Sequence, residues 1–153
     1  MKARLDFRKA SPEADKAMMG LHMFVRKCGL DHSLLELVKL RTSQINGCAH
    51  CIDMHTKELR ADGESEQRLY LLDAWRESPF YSDRERAALA WTDALTQLSH
   101  GHFDASAREA LEAHFSPEEQ VKLTLMISAI NGWNRIAVGL GLWHEPAAAK
   151  AAA

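Results

Sequence analysis

An all-α fold is predicted for this chain by three observations. Apolar residues recur at helical spacing wherever they recur regularly, the stretches that carry them open on Ser-Pro-Glu or Ser-x-x-Glu caps, and no stretch alternates at period two between hairpin turns. The expected architecture is one domain over residues 1–145, a bundle of about six to seven helices. The tail from 146 to 153 is alanine-rich, has no core-forming side chain beyond methyls, and is expected to be disordered.

Taken in order, Ser11-Pro12-Glu13 supplies an N-cap, a proline at the first helical position and an acid in the first turn, and this helix should run to about Lys27 and stop at Gly29. The next contains LLELVKL, so rich in aliphatics that it should be buried nearly all round, Glu36 included. Two starts compete for it. Ser33 with Glu36 matches a capping box, which would spend the glutamate on the helix end; a start at Asp31 leaves Glu36 for another partner and is the one adopted here. Asn46-Gly47 then turns the chain into a helix running back alongside, through Lys57-Glu58-Leu59-Arg60 to Gly63.

Glu64-Ser65 opens a helix that should carry Leu69, Leu71, Leu72 and Trp75 into the core as far as Ser78-Pro79. Ser82 with Glu85 is a further capping box, opening a helix with Ala87, Ala88, Leu89, Trp91, Ala94, Leu95 and Leu98 at helical spacing and Gly101 as its stop. A short helix from about Asp104 to His114 follows, and Ser116-Pro117-Glu118-Glu119 launches the longest apolar segment, Val121 to about Leu140.

With 153 residues, 46% of them apolar and 26% charged, the chain has core enough to fold without a disulfide. A net charge of -2 argues against nucleic acid or an anionic membrane as partner. The N-terminal MKARLDFRKASPEAD has no apolar leader core and no run approaches the roughly 18 apolar residues of a membrane span, so a cytoplasmic protein is expected. Three cysteines in a reducing compartment read as reactive or metal-binding thiols, with Cys28 beside Gly29 as a small packed residue. Trp75, Trp91, Trp133 and Trp143 read as core or subunit-contact residues, and SHGH, Ser99 to His102, as a solvated loop. The apolar excess of the last helix predicts a homo-oligomer.

The stretch that carries chemistry is SQINGCAHCIDMH. At 100° per residue Cys48, Cys51 and His55 fall within about 60° of arc and share one helix face. Glu36 lies about 15 Å of helix rise from the Asn46-Gly47 turn and His55 about 12 Å, so the antiparallel hairpin sets them at similar heights. A thiolate is the reactive form of cysteine: Cys48 is favoured by its place at a helix N-terminus, Cys51 by an imidazole at i+4 that can take its proton. A peroxide attacked by one thiolate gives a sulfenic acid, the other cysteine condenses with it to a Cys48-Cys51 disulfide, and an external dithiol resets the pair. His50, about 100° off the face, is either a solvated histidine or a proton relay at the rim.

A glutamate, eleven residues, Cys-x-x-Cys, three residues and a histidine, here Glu36, Cys48, Cys51 and His55 with His50 before the second cysteine, resembles the alkyl hydroperoxidase D (AhpD)-like family of the carboxymuconolactone decarboxylase-like superfamily. SQINGCAHCIDMH and the later SAINGWNRIAVG extend the likeness over roughly residues 10 to 142. The resemblance implies trimers or hexamers of an all-helical chain and thiol-dependent reduction of hydroperoxides; no cofactor is expected, and the expected electron donor is an external dithiol, of lipoyl or thioredoxin type. It also implies that Cys51 becomes the sulfenic acid, that Cys48 resolves it, and that His55, Glu36 and His50 move protons. Helix position alone favours Cys48 as nucleophile; the family pattern and the Cys51 to His55 spacing are followed instead.

Three other readings fit parts of the pattern. Zinc held by Cys48, Cys51, His55 and either Glu36 or His50 lacks a second ligand pair at zinc-finger spacing. A carboxymuconolactone decarboxylase-type acid-base enzyme would share the scaffold but has no need of a thiol pair. A non-catalytic module leaves four matched reactive positions unexplained. Haem attachment is excluded because Ile52, not histidine, follows Cys51.

Overall fold

The computed structural model describes residues 5–100 and 105–142, and these form eight α-helices with no strand among them. The expected disordered tail, the domain limit at residue 145, Gly101, His102 and Trp143 lie outside the described residues. The first helix, α1 (Phe7–Ala10), is a single turn capped by the Asp6 side chain and too short to show a period in the sequence. Ser11 closes α1 and opens α2 (Pro12–Arg26), and its side chain makes no cap hydrogen bond; the proline in the first turn starts the helix without it.

The contest over the next helix is settled at its cap. In α3 (His32–Ile45) the Asp31 carboxylate accepts the Leu34 N–H at 2.9 Å, so Ser33 is inside the helix and Glu36 is released from capping. The chain turns through Asn46 and Gly47 into α4 (Ala49–Ala61), which packs back along α3. The helix expected to reach Ser78 breaks early: α5 (Glu66–Leu71) gives way to a 3-10 turn, Leu72–Ala74. The Arg86 guanidinium meets the carbonyls of Trp75, Arg76 and Ser78, which replaces helical bonding at that end and lets Leu72 and Trp75 both turn inward.

The capping box expected of Ser82 and Glu85 forms at the start of α6 (Asp83–Thr96), and the Ser116 start of α8 (Pro117–Leu140) closes as a second one with Glu119, with α7 (Ala105–His114) between them. Helix α6 ends five residues before Gly101, in a 3-10 turn at Leu98–His100. Gly141 closes α8 with φ at +65°, a left-handed turn that glycine adopts without a Cβ penalty.

Helix α3 is the central element: α4, α6 and α8 all pack on it, and every residue from Leu34 to Ser43 is buried. Its apolar side chains form two stripes. Leu34, Leu35 and Val38 join a core with α2, α6, α7 and α8, while Leu37 and Leu40 join one with α4, α5 and α6. The polar side chains of the buried run, Glu36 to Ser43, all find partners within the fold. Thr42 and Ser43 bond back to the carbonyls of Val38 and Lys39, and Arg41 reaches Asp93 at 2.7 Å and Asp73 at 2.5 Å. Asp93 in turn accepts from the Trp75 indole at 3.2 Å. Cys28 is a buried free thiol in the first core, as the sequence predicts. No helix among the described residues is long and apolar enough to cross a membrane.

Removing Arg41 leaves the buried Asp93 short of its principal cation. Arg41→Met is expected to cost about 3 kcal/mol in urea unfolding, as breaking a buried ion pair does. A loss below about 1 kcal/mol would show that Trp75 and Arg76 satisfy the carboxylate without it.

A candidate redox site in the α3–α4 hairpin

Gly47, with φ at +64°, makes the sharp turn that sets Cys48 at the N-cap of α4. The Cys48 sulfur accepts the Cys51 N–H at 3.3 Å, and the two cysteines are joined in a disulfide with their Cα atoms 5.3 Å apart, an ordinary spacing for that bond. Both residues are buried, packed with Ala137 and Leu142 at the end of α8.

A polar clamp holds the turn from behind. The Asn46 amide donates to Asn131 Oδ1 and Asn134 Oδ1, each at 2.9 Å, and Asn134 donates onward to Ser43 Oγ at 3.1 Å. The SAINGWN segment of α8 is therefore the support of the cysteine turn, a role that no local pattern reveals.

Deeper along the hairpin, Glu36 and His55 meet as the height argument predicts: Nδ1 of His55 lies 3.2 Å from Glu36 Oε2, with both residues nearly inaccessible to solvent. Two partners are unanticipated. The Lys39 ammonium, itself buried, donates to Glu36 Oε1 at 2.5 Å, and Glu58 brings Oε2 within 3.0 Å of the same His55 nitrogen. Both were readable as i+3 neighbours, Lys39 of Glu36 and Glu58 of His55, and a lysine in an otherwise aliphatic buried run needs an anion nearby.

The electrostatics follow from these contacts. Burial alone would raise the Glu36 carboxyl, but the hydrogen bond from His55 and the Lys39 charge outweigh it and hold the group down at about 2, against 4.5 ordinarily. Burial works against a charged His55 as well, and its bonds to Glu36 and Glu58 overcome that and raise it above the usual imidazole value of 6.5. Carboxylates only accept, so Nδ1 carries the hydrogen in neutral His55. That leaves Nε2, buried and with no hydrogen-bond partner, as the basic nitrogen.

These groups open on a cavity of about 670 Å³ between α2, α3, α4 and α8. Cys51, His55, Glu36 and Lys39 line it, whereas Cys48 does not. His50 lines it from a half-buried position, consistent with a place at the rim. Across from them stand His22, lowered by burial and by the Lys39 and Arg26 charges, and Trp133, whose ring is edge-on to His22 and Phe7. In this oxidised state the two sulfurs are bonded to each other, so neither is a thiolate donor for zinc. Glu36, His55 and Glu58 bring donor atoms within 4.8 Å of one another, and the Lys39 ammonium already occupies one oxygen of Glu36.

More than half of the chain, residues 12–94, matches the carboxymuconolactone decarboxylase family. The chain belongs to that family. Within the carboxymuconolactone decarboxylase family its likeness is to the AhpD-like proteins. It is 53% identical to a crystallised protein of unknown function from Agrobacterium tumefaciens, described as a candidate antioxidant defence protein AhpD, with a TM-score of 0.92 over 95% of this chain and 100% of that one. The uncharacterised protein YdfG of Bacillus subtilis strain 168 is 39% identical over 141 residues, 92% of this chain and 96% of the relative. An alkylhydroperoxidase AhpD core from Ralstonia eutropha JMP134, an uncharacterised peroxidase-related protein, shares the fold at 21% identity, with a TM-score of 0.76 over 90% of this chain and 74% of that one.

A carboxylate held at about 2 when folded stabilises the protein fully above its unfolded value of 4.5, and that stabilisation is lost as pH falls through the folded value. Glu36 is expected to contribute on the order of 3 kcal/mol to the acid limb. Urea unfolding at successive pH values below 4.5 should therefore fall less steeply for Glu36→Gln than for the parent chain. Parallel curves would refute the assignment.

Proposed function

We propose that the protein is a thiol-dependent hydroperoxidase in which Cys51 is oxidised, Cys48 resolves it, and His55 oriented by Glu36 moves the proton. The observation that carries this reading is the division of the cysteine pair: Cys51 lines the cavity together with His55, while Cys48 is not part of its lining. Family membership and the likeness to AhpD-like proteins support it.

The cycle balances on the residues present. In the dithiol state the Cys51 proton passes to His55 Nε2, and the thiolate attacks the terminal oxygen of a hydroperoxide. The O–O bond breaks, sulfur gives up two electrons, and the departing alkoxide takes the proton back from Nε2, leaving an alcohol and a Cys51 sulfenic acid. Cys48 attacks that sulfur, hydroxide leaves with a proton as water, and the disulfide of this structure results. An external dithiol of lipoyl or thioredoxin type returns two electrons and two protons. Helix position remains useful to Cys48, whose N-cap sulfur is well placed to leave as a thiolate in that exchange.

The working unit of this proposal is a cytoplasmic homo-oligomer, trimer or hexamer. The exposed apolar side chains of Phe24 on α2 and of Val121 and Val138 on α8 support association. A decarboxylase-type reaction on the Glu36 and His55 pair would proceed without sulfur, so the cysteine variants separate the two chemistries.

Cys51→Ser is expected to abolish peroxide turnover. Cys48→Ser should leave a sulfenic acid at Cys51 that a dimedone-type probe labels, with the adduct located by peptide mass spectrometry. Adduct at Cys48 in the Cys51→Ser chain would reverse the assignment, and full activity without either cysteine would end it. Glu36→Gln should slow turnover on the order of a hundredfold while leaving the helical circular dichroism unchanged.

A further inference from the structure

Among the described residues Lys39 is the one buried lysine or arginine in the cavity wall, and the proposed reaction makes no use of it. Its ammonium is 2.5 Å from Glu36 Oε1, and the other oxygen of the same carboxylate is the one that faces His55 Nδ1. Glu36 is thus spanned by two cationic partners, one on its own helix and one on α4. A carboxylate so spanned, with a permanent positive charge on one oxygen, is a poor place to put a proton.

We propose that Lys39 is a positioning residue for the thiol chemistry: by holding Glu36 as a fixed anion it takes that carboxylate out of proton transfer and keeps the His55 hydrogen on Nδ1, so that Nε2 alone exchanges protons with the cavity. The inference rests on the proposed function for its purpose, though not for its geometry. It turns the glutamate expected to relay protons into an electrostatic post. It also gives a reason for the cost of burying a lysine in a run with no exposed face, where an unpaired ammonium would not be tolerated.

The neighbouring charges have to be counted. Besides Glu36 and Lys39 on α3, the cavity wall carries His50, His55 and Glu58 on α4, His22 and Arg26 on α2, and Asp6 and Arg8 at α1. His32 and Asp62 sit at its edge, paired with each other at 2.9 Å. Helix α8 contributes only uncharged residues such as Ile130, Trp133 and Ala137. Glu58 shares the His55 nitrogen but is half-exposed, so water competes for it and it cannot fix the tautomer as a buried anion does. Removing Lys39 leaves Glu36 uncompensated beside His55, which then holds its proton more tightly.

The test uses the full-length disulfide form, in which neither Cys48 nor Cys51 titrates. Two-bond proton–nitrogen spectra report the protonation and tautomer of His55, and carboxyl carbon shifts report Glu36, from about pH 4 to about pH 9. In the parent chain Glu36 should stay ionised throughout, and neutral His55 should carry its hydrogen on Nδ1. Lys39→Met should move the His55 midpoint upward by about half to one pH unit. Lys39→Arg should restore most of that shift, and Glu36→Gln combined with Lys39→Met should bring the midpoint below that of Lys39→Met alone. A parent chain with neutral His55 protonated on Nε2, or with Glu36 taking up a proton in that range, overturns the proposal. So does a natively folded Lys39→Met whose midpoint does not move. Should Lys39→Met fail to fold, the two measurements on the parent chain decide alone. None of these readouts uses peroxide. A chain that meets them yet leaves hydroperoxides untouched would overturn the proposed function only, and one that reduces hydroperoxides with the hydrogen on Nε2 would overturn this inference only.

Discussion

The constraint on which the structure depends is that α3 runs through the middle of the bundle with no exposed face from Leu34 to Ser43, yet five of those ten residues are polar or charged. A buried polar group without a partner costs a few kcal/mol, and a buried charge more. Thr42 is satisfied by the Val38 carbonyl of its own helix, and each of the other four dictates something around it. Arg41 requires Asp93 from α6 and Asp73 from the 3-10 turn, which ties α3 to both. Ser43 receives the Asn134 amide, which ties it to α8. Glu36 and Lys39 satisfy each other and draw in His55 from α4. The site and the scaffold are two outcomes of the same requirement.

The two cysteines illustrate how access and electrostatics can point to different atoms. A helix N-terminus lowers a thiol's proton affinity, and on that ground Cys48 is the better nucleophile. Access favours Cys51, which lines the cavity while Cys48 does not. A nucleophile has to reach its target before its proton affinity matters, whereas a resolving or departing sulfur needs only to meet its neighbour and bear charge. The sequence spacing and the cavity lining therefore both support the roles proposed above, in which the helix end is of use to Cys48 as the departing sulfur.

Local chemistry was legible in the chain and distant pairing was not. The capping boxes at Ser82 and Ser116, the Asn46-Gly47 turn and the meeting of Glu36 with His55 all follow from residues within one helix or one hairpin. The carbonyls that follow the 3-10 turn are held by Arg86, which lies beyond the next loop, and the clamp on Asn46 comes from Asn134, 88 residues away. Neither leaves a periodic trace. Lys39 is a different kind of omission: its i+3 relation to Glu36 was visible, but a lysine in a helix is ordinarily read as solvent-facing, and only the fully buried helix makes that reading wrong.

The hairpin also separates into two parts that the chemistry could use independently. Glu36, Lys39 and His55 form a group two to three turns from the closed end, and the hydrogen bonds that hold it run between nitrogen and oxygen atoms. The cysteines occupy the closed end itself, where the Gly47 turn and the Asn46 clamp determine their geometry. Changes confined to the turn would alter or remove the thiol chemistry and leave an oriented imidazole with a free Nε2 facing the same cavity. Sulfur-based and purely acid-base reactions can thus share one scaffold, because what the bundle has to preserve is the buried carboxylate and its partners, and the residues at the turn decide what that imidazole acts upon.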